Sequence, residues 1–174
     1  WNGPLGAFEY KPFNKATIEI ANTIKNNEKL RNIIKALASA PMPVILPLHP
    51  RTKIKLNEYD IKVSGKIQTI EPIGYLDMII LVKNAWKILT DSGGLQKEAY
   101  FFKKPCITMR DQTEWVETVN SGWNIITSGD LTRILKSYQQ AMQWYERDTS
   151  ESPFGFKTKT SQNLYGNGNS AKMI

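Results

Sequence analysis

Short apolar runs alternate along the chain with longer stretches in which apolar residues recur every three or four positions. "PVILPL" (43–48) is a short continuous apolar run bounded by prolines, and "KIQTIEP" (66–72), "WKILT" (86–90), "CITM" (106–109) and "WNIIT" (123–127) read as further short strands. A run like "PVILPL" reads as a strand buried on both faces of a parallel sheet. The helical patterns fall between them: "GYLDMIILVKNA" with Tyr75, Met78, Ile79 and Val82 at helical spacing, "LQKEAYFFKK" starting near Leu95, "TEWVETVNSG" closed by Gly122, and "DLTRILKSYQQAMQWYERD" capped by Asp130. Upstream, Lys15 to Ala38 carries Ile20, Ile24, Leu30, Ile34 and Leu37 at mixed three and four spacings and reads as one long amphipathic helix. The Lys-rich stretch between Leu48 and Lys66 reads as a polar connection. Strands alternating with helices predict an α/β, doubly wound parallel sheet with right-handed crossovers.

At 174 residues the chain suits one domain that buries roughly 70% of its unfolded surface and folds without staples. We divide it into an N-terminal arm (1–13), a nucleotide-binding domain (14–148) and a flexible tail leading to a final helix (149–174), the tail being rich in Ser, Thr, Gly and Asn. The single cysteine, Cys106, excludes a disulfide framework and reads as core. No run reaches the ~20 apolar residues of a membrane span, and the first residues lack the layout of a signal peptide, so the expected location is the cytoplasm. Lys and Arg exceed Asp and Glu by 23 to 16, which favours an anionic partner. The excess is spread out, with no basic run interleaved with aromatics, which speaks against nucleic acid.

"TDSGGLQKEA" (90–99) concentrates the candidate chemistry. In an open parallel sheet ligands bind outside the carboxyl ends of the strands, where Ser92, Gly93 and Gly94 fall. Two glycines let the backbone approach an anion, and the first amides of the following helix lack internal partners, so a phosphate or diphosphate fits. Glu98, one helical turn beyond Gly94, suits paired hydroxyls such as those of a ribose. The plainer alternative is that Asp91 or Ser92 caps a helix and Glu98 is an acid favoured by the helix dipole.

Over a longer span the blocks "PLHPRT", "PIGYLDMIILVKNAW", "TDSGGLQKEA", "KKPCITMRDQTEWVETVNSGWN" and "NLYGNGNSAKMI", in that order, closely resemble the C-terminal half of the non-hydrolysing UDP-N-acetylglucosamine 2-epimerases. The resemblance runs from about Thr17 to the end of the chain. It implies the second of the two Rossmann-like domains of a GT-B architecture, with the active site in the cleft between them. It also implies that Ser92, Gly93 and Gly94 hold the diphosphate of UDP and that Glu98 takes the ribose hydroxyls. Pro72 to Met78 would then lie against the uracil, with Met78 where an aromatic often stands, while Arg110 and Glu114 shape the pocket wall. Trp115 stands where many bacterial relatives have a nucleotide-contacting arginine. His49 matches a histidine that touches a second, regulatory UDP-sugar in bacterial relatives; as a lone histidine at a strand end it equally suits a hydrogen bond to its own loop.

One block departs from the family. A segment reading roughly T-x-H-R-x-E-N supplies an essential histidine at the start of the domain's first helix, and its counterpart here is "TIEIANT". Glu19 takes the place of the histidine and Ile20 that of the arginine. Isoleucine donates nothing to a phosphate and glutamate repels one, so the resemblance implies a chain with no catalytic residue of its own, inactive alone. The expected partners are UDP or a UDP-sugar, with a separate N-terminal domain or a homo-oligomer as protein partner, and neither nucleic acid nor membrane. No cofactor or metal is expected. The competing readings are a non-catalytic nucleotide-sugar binding module, the donor domain of a GT-B glycosyltransferase, and a basic α/β domain that binds another protein.

Overall fold

The computed structural model describes residues 16–19, 26–145, 152–154 and 164–165, the side chains of 16–19 and 145 excepted. The arm at 1–13, Ile20 and almost all of the tail lie outside the described residues. The described residues form a six-stranded, all-parallel sheet: β1 Ala16–Glu19, β2 Val44–Pro47, β3 Ile67–Ile70, β4 Lys87–Thr90, β5 Cys106–Thr108 and β6 Asn124–Ile126. Helices α1 Asn27–Ala38, α2 Pro50–Glu58, α3 Tyr75–Asn84, α4 Gly93–Phe101 and α5 Val116–Asn120 cross between successive strands, and α6 Leu131–Tyr145 follows β6.

The strand order is β3-β2-β1-β4-β5-β6. The chain builds outward from β1 in one direction, returns through α3 and builds outward from β4 in the other. The point of reversal lies between β1 and β4, where Glu19 stands in register with Thr90. Doubly wound sheets open a crevice at such a point.

Strand alternation divides the core in two. In β4 and β5, Leu89 and Ile107 join Leu30, Ile33 and Leu37 of α1 and Ile134 and Tyr138 of α6 on one face. Ile88 and Cys106 join Val82 of α3 and Leu95 and Ala99 of α4 on the other. All of these side chains are buried, each contributing roughly 1.5–3 kcal/mol by leaving water, somewhat less for Ala99. Cys106 is core as expected, and burial pushes its thiol up to about 12.

Two expectations are corrected. Lys15 to Ala38 is not one helix: Ala16–Glu19 is a strand, and α1 begins only at Asn27. Thr17 and Ile18 are β-branched and favour a pleated strand. The helix start is fixed separately by Asn26, whose Oδ1 accepts from the backbone N–H groups of Glu28 at 2.8 Å and Lys29 at 3.4 Å. Glu19 is therefore the last residue of the first strand and does not open a helix. The Lys-rich connection is likewise structured, as α2, with Pro50 at its first turn and only Thr52 and Leu56 buried. Gly122 has φ +73°, in the left-handed conformation, and closes α5, while Asp130 Oδ1 accepts from Arg133 N at the start of α6, both as read from the sequence.

Candidate functional site

β4 ends at Thr90 beside the point of reversal, and the chain turns through Asp91 and Ser92 into α4. The helix begins at Gly93, two residues earlier than the sequence suggests, so both glycines are its first residues. Ser92 occupies the N-cap with extended backbone, yet its side chain makes no capping hydrogen bond. Instead its N–H donates to Thr90 Oγ1 at 3.0 Å and its carbonyl accepts from Gln96 Nε2 at 3.1 Å. The capping alternative therefore does not hold for Ser92. The amides at the start of α4 carry the partial positive charge of a helix N-terminus.

The two glycines differ. A Cβ on Gly93 would overlap the Glu114 carboxylate, with Trp115 Nε1 at 3.6 Å, whereas a Cβ on Gly94 would meet nothing within 4 Å. A side chain on Gly93 would thus have to push the Glu114 carboxylate aside, while Gly94 faces open space. Glu98 is the sixth residue of α4, beyond the first turn, and half-buried. Partial burial raises its pKa, and a hydrogen bond from the Tyr75 hydroxyl opposes that rise. The carboxylate in turn pushes the Tyr75 phenol up.

The turn is fixed from behind by a buried polar network. Gln96 Oε1 accepts from Thr113 Oγ1 at 2.6 Å and from Asn124 Nδ2 at 3.0 Å, and Asn124 Oδ1 accepts from Thr108 Oγ1 at 2.7 Å. Gln96 therefore ties the turn, through Ser92, to β5, β6 and the 110–115 loop. Thr113 Oγ1 also accepts from Trp115 N at 3.1 Å, and Lys29 of α1 pairs with Asp111 at 2.9 Å, holding that carboxyl below its usual range. This loop is thereby anchored next to Gly93. Within it Arg110 Nη1 donates to Glu114 Oε2 at 3.0 Å. The structure thus brings together Ser92, Gly93, Gly94, Glu98, Arg110 and Glu114.

Met78 and His49 are the remaining candidates. Met78 is half-buried and packs against the cluster of Val82, Leu95 and Ala99. Three residues earlier, Tyr75 is exposed and not on the buried face of α3. His49 is the N-cap of α2, and its Nδ1 accepts from Arg51 N at 3.2 Å, the own-loop bond anticipated as one of its two readings. Sequence reasoning missed Gln96 and Asn124, whose partners are distant in sequence, and the bond from Tyr75 to Glu98. It also missed Lys97, whose Nζ lies 4.5 Å from the Trp115 ring centroid and 4.7 Å from that of Tyr165.

A sequence profile of the UDP-N-acetylglucosamine 2-epimerases matches residues 12–174. The chain belongs to the UDP-N-acetylglucosamine 2-epimerase family. It is 42% identical over 94% of its length to a UDP-N-acetylglucosamine 2-epimerase homolog of Methanococcus maripaludis. Over 98% of its length it is 37% identical to the UDP-2,3-diacetamido-2,3-dideoxy-D-glucuronate 2-epimerase of Pseudomonas aeruginosa. The chain spans 43% and 45% of these two relatives, less than half of either. The UDP-GlcNAc 2-epimerase of Methanocaldococcus jannaschii, solved in complex with UDP-GlcNAc and UDP, superposes with a TM-score of 0.69 at 35% identity, covering 83% of this chain and 42% of that one. The fold read from the sequence stands: a Rossmann-like parallel sheet of the kind found in the GT-B epimerases of this family. Among the described residues no helix is long and apolar enough to cross a membrane.

Proposed function

We propose that this chain is the C-terminal, UDP-binding half of a UDP-N-acetylglucosamine 2-epimerase and that it does not interconvert UDP-GlcNAc and UDP-ManNAc by itself. The observation that carries the reading is the start of α4: a helix N-terminus with no cap from Ser92, opened by Gly94, at the reversal point of the sheet, with Glu98 one turn on. Backbone N–H groups and the Ser92 hydroxyl would hold the diphosphate. Glu98 would exchange the Tyr75 hydroxyl for the ribose hydroxyls, the segment from Pro72 to Met78 would lie against the base, and Arg110 and Glu114 would form the wall. His49, already bonded to its own loop, fits a second nucleotide site less well than a capping role.

Elimination and re-addition of UDP require positioned acid and base groups. This chain spans less than half of its relatives and carries Glu19 and Ile20 where the family pattern has histidine and arginine. The part of the relatives' length that this chain does not span would supply the other wall of the cleft. The substitution at Glu19 supports a second reading, a nucleotide-sugar binding module that never turns over. In either case we place the chain in the cytoplasm, in the nucleotide-sugar metabolism that feeds cell-surface polysaccharide.

Calorimetric titration with UDP, and with UMP as comparison, tests the site. Binding that weakens when the second phosphate is absent, and weakens about tenfold or more in Glu98→Ala, is the expected result. No binding at millimolar UDP, or full binding by Glu98→Ala, defeats the assignment. Addition of the relatives' N-terminal domain separates the two readings: epimerisation restored identifies a split enzyme, and binding without turnover a non-catalytic module.

A further inference from the structure

Three observations converge on Glu114. Its carboxylate occupies the position that a Cβ on Gly93 would take. Because Cα–Cβ bonds in a helix tilt toward the N-terminus, that position lies at the mouth of α4, where the proposed diphosphate would sit. Its ion pair to Arg110 is partly exposed, so the side chain can leave at small cost. Beside it the indole N–H of Trp115, 3.6 Å from the same point, is buried and finds no hydrogen-bond partner among the described residues.

We infer that Glu114 is an affinity-setting gate over the proposed nucleotide site: its carboxylate stands where a phosphate would bind, and a nucleoside diphosphate must displace it from Gly93. The inference rests on the reading of the α4 turn as a diphosphate site. A carboxylate and a phosphate repel each other at this separation, so both cannot stay at the mouth of the helix. When Glu114 swings away, Arg110 loses its partner and is free to meet the phosphate, and the space in front of the Trp115 indole opens. The gate therefore trades one anion for another and discriminates by the charge of the ligand. It leaves an uncharged nucleoside unaffected.

The test is calorimetric titration of the purified chain and its Glu114→Gln variant with UDP, UMP and uridine at low salt. Glu114 lies on the surface, and glutamine keeps its shape, so the fold is retained. The expected result is UDP binding about tenfold tighter in the variant, a smaller gain for UMP, none for uridine, and a gain for UDP that shrinks in half-molar salt as screening grows. Unchanged UDP affinity in a parent that does bind UDP overturns the gate and leaves the nucleotide site standing, as does an equal gain for all three ligands. Failure of both proteins to bind UDP overturns the site itself and the gate with it.

Discussion

At Lys87 an ammonium group is sealed inside the sheet, fully buried on β4, with Nζ 3.8 Å from the centre of the Tyr138 ring and 3.3 Å from the Tyr138 carbonyl oxygen. Burial drags its pKa from 10.5 to about 7. The folded group thus releases its proton well below the pH at which the unfolded chain does, and between those values the unfolded state binds the extra proton. Stability should therefore rise with pH from about 7 toward 10.5, by up to ~1.4 kcal/mol per unit, and below 7 the full cost of burying the charge should remain. Urea titrations at pH 6 and pH 9 check this, and Lys87→Met should flatten the dependence and be the more stable protein at pH 6 by ~2 kcal/mol. Gly94 offers a contrasting prediction at the same scale. A methyl there meets open space, so Gly94→Ala should stabilise the helix by ~0.5–1 kcal/mol in thermal melts while weakening UDP binding. A glycine whose replacement improves the fold and harms binding is kept for the ligand.

Among the elements, α4 depends on one side chain. Gln96 bonds to the Ser92 carbonyl, Thr113 and Asn124, so Gln96→Leu removes three hydrogen bonds and strips the Thr113 hydroxyl proton of its acceptor, while Asn124 keeps its bond to Thr118. The expected cost is ~2–3 kcal/mol in denaturant titration, with loss of UDP binding as the turn loosens. Nothing in "TDSGGLQKEA" distinguishes Gln96 from a surface glutamine, because its partners lie seventeen and twenty-eight residues away. The glycine turn was legible because its chemistry is local to the strand end. Strands β2, β4 and β5 were legible as short apolar runs between turns, since a strand covered on both faces needs no polar alternation, whereas β3, with Gln68 and Thr69 exposed, and β6 were legible by their place between helical patterns. β1 was hidden because Ile20 and Ile24, read with Leu30 and Ile34, fit a helical period that runs across the strand. α2 was hidden for the opposite reason: with Leu56 its one buried aliphatic side chain, it shows almost no apolar stripe.

For the whole molecule, the reversal of strand order between β1 and β4 explains why the candidate residues meet at one edge. If that edge binds UDP, ligand should stabilise the chain by mass action, ~2.7 kcal/mol at a hundredfold excess over Kd, and raise its melting temperature more than UMP does. A melting temperature unmoved by saturating UDP would count against the site. The same topology carries a liability. β2 and β4 lie on either side of β1 and are joined through its four residues, with Ala16 paired to Val44 on one side and Lys87 on the other. Opening β1 would bare two strand edges at once, "VILP" and "KILT", each with unpaired backbone groups able to template another chain. Aggregation of this protein should therefore begin at the middle of its sheet. Thr17→Pro, which removes a ladder donor there, should raise light scattering at temperatures well below the melt.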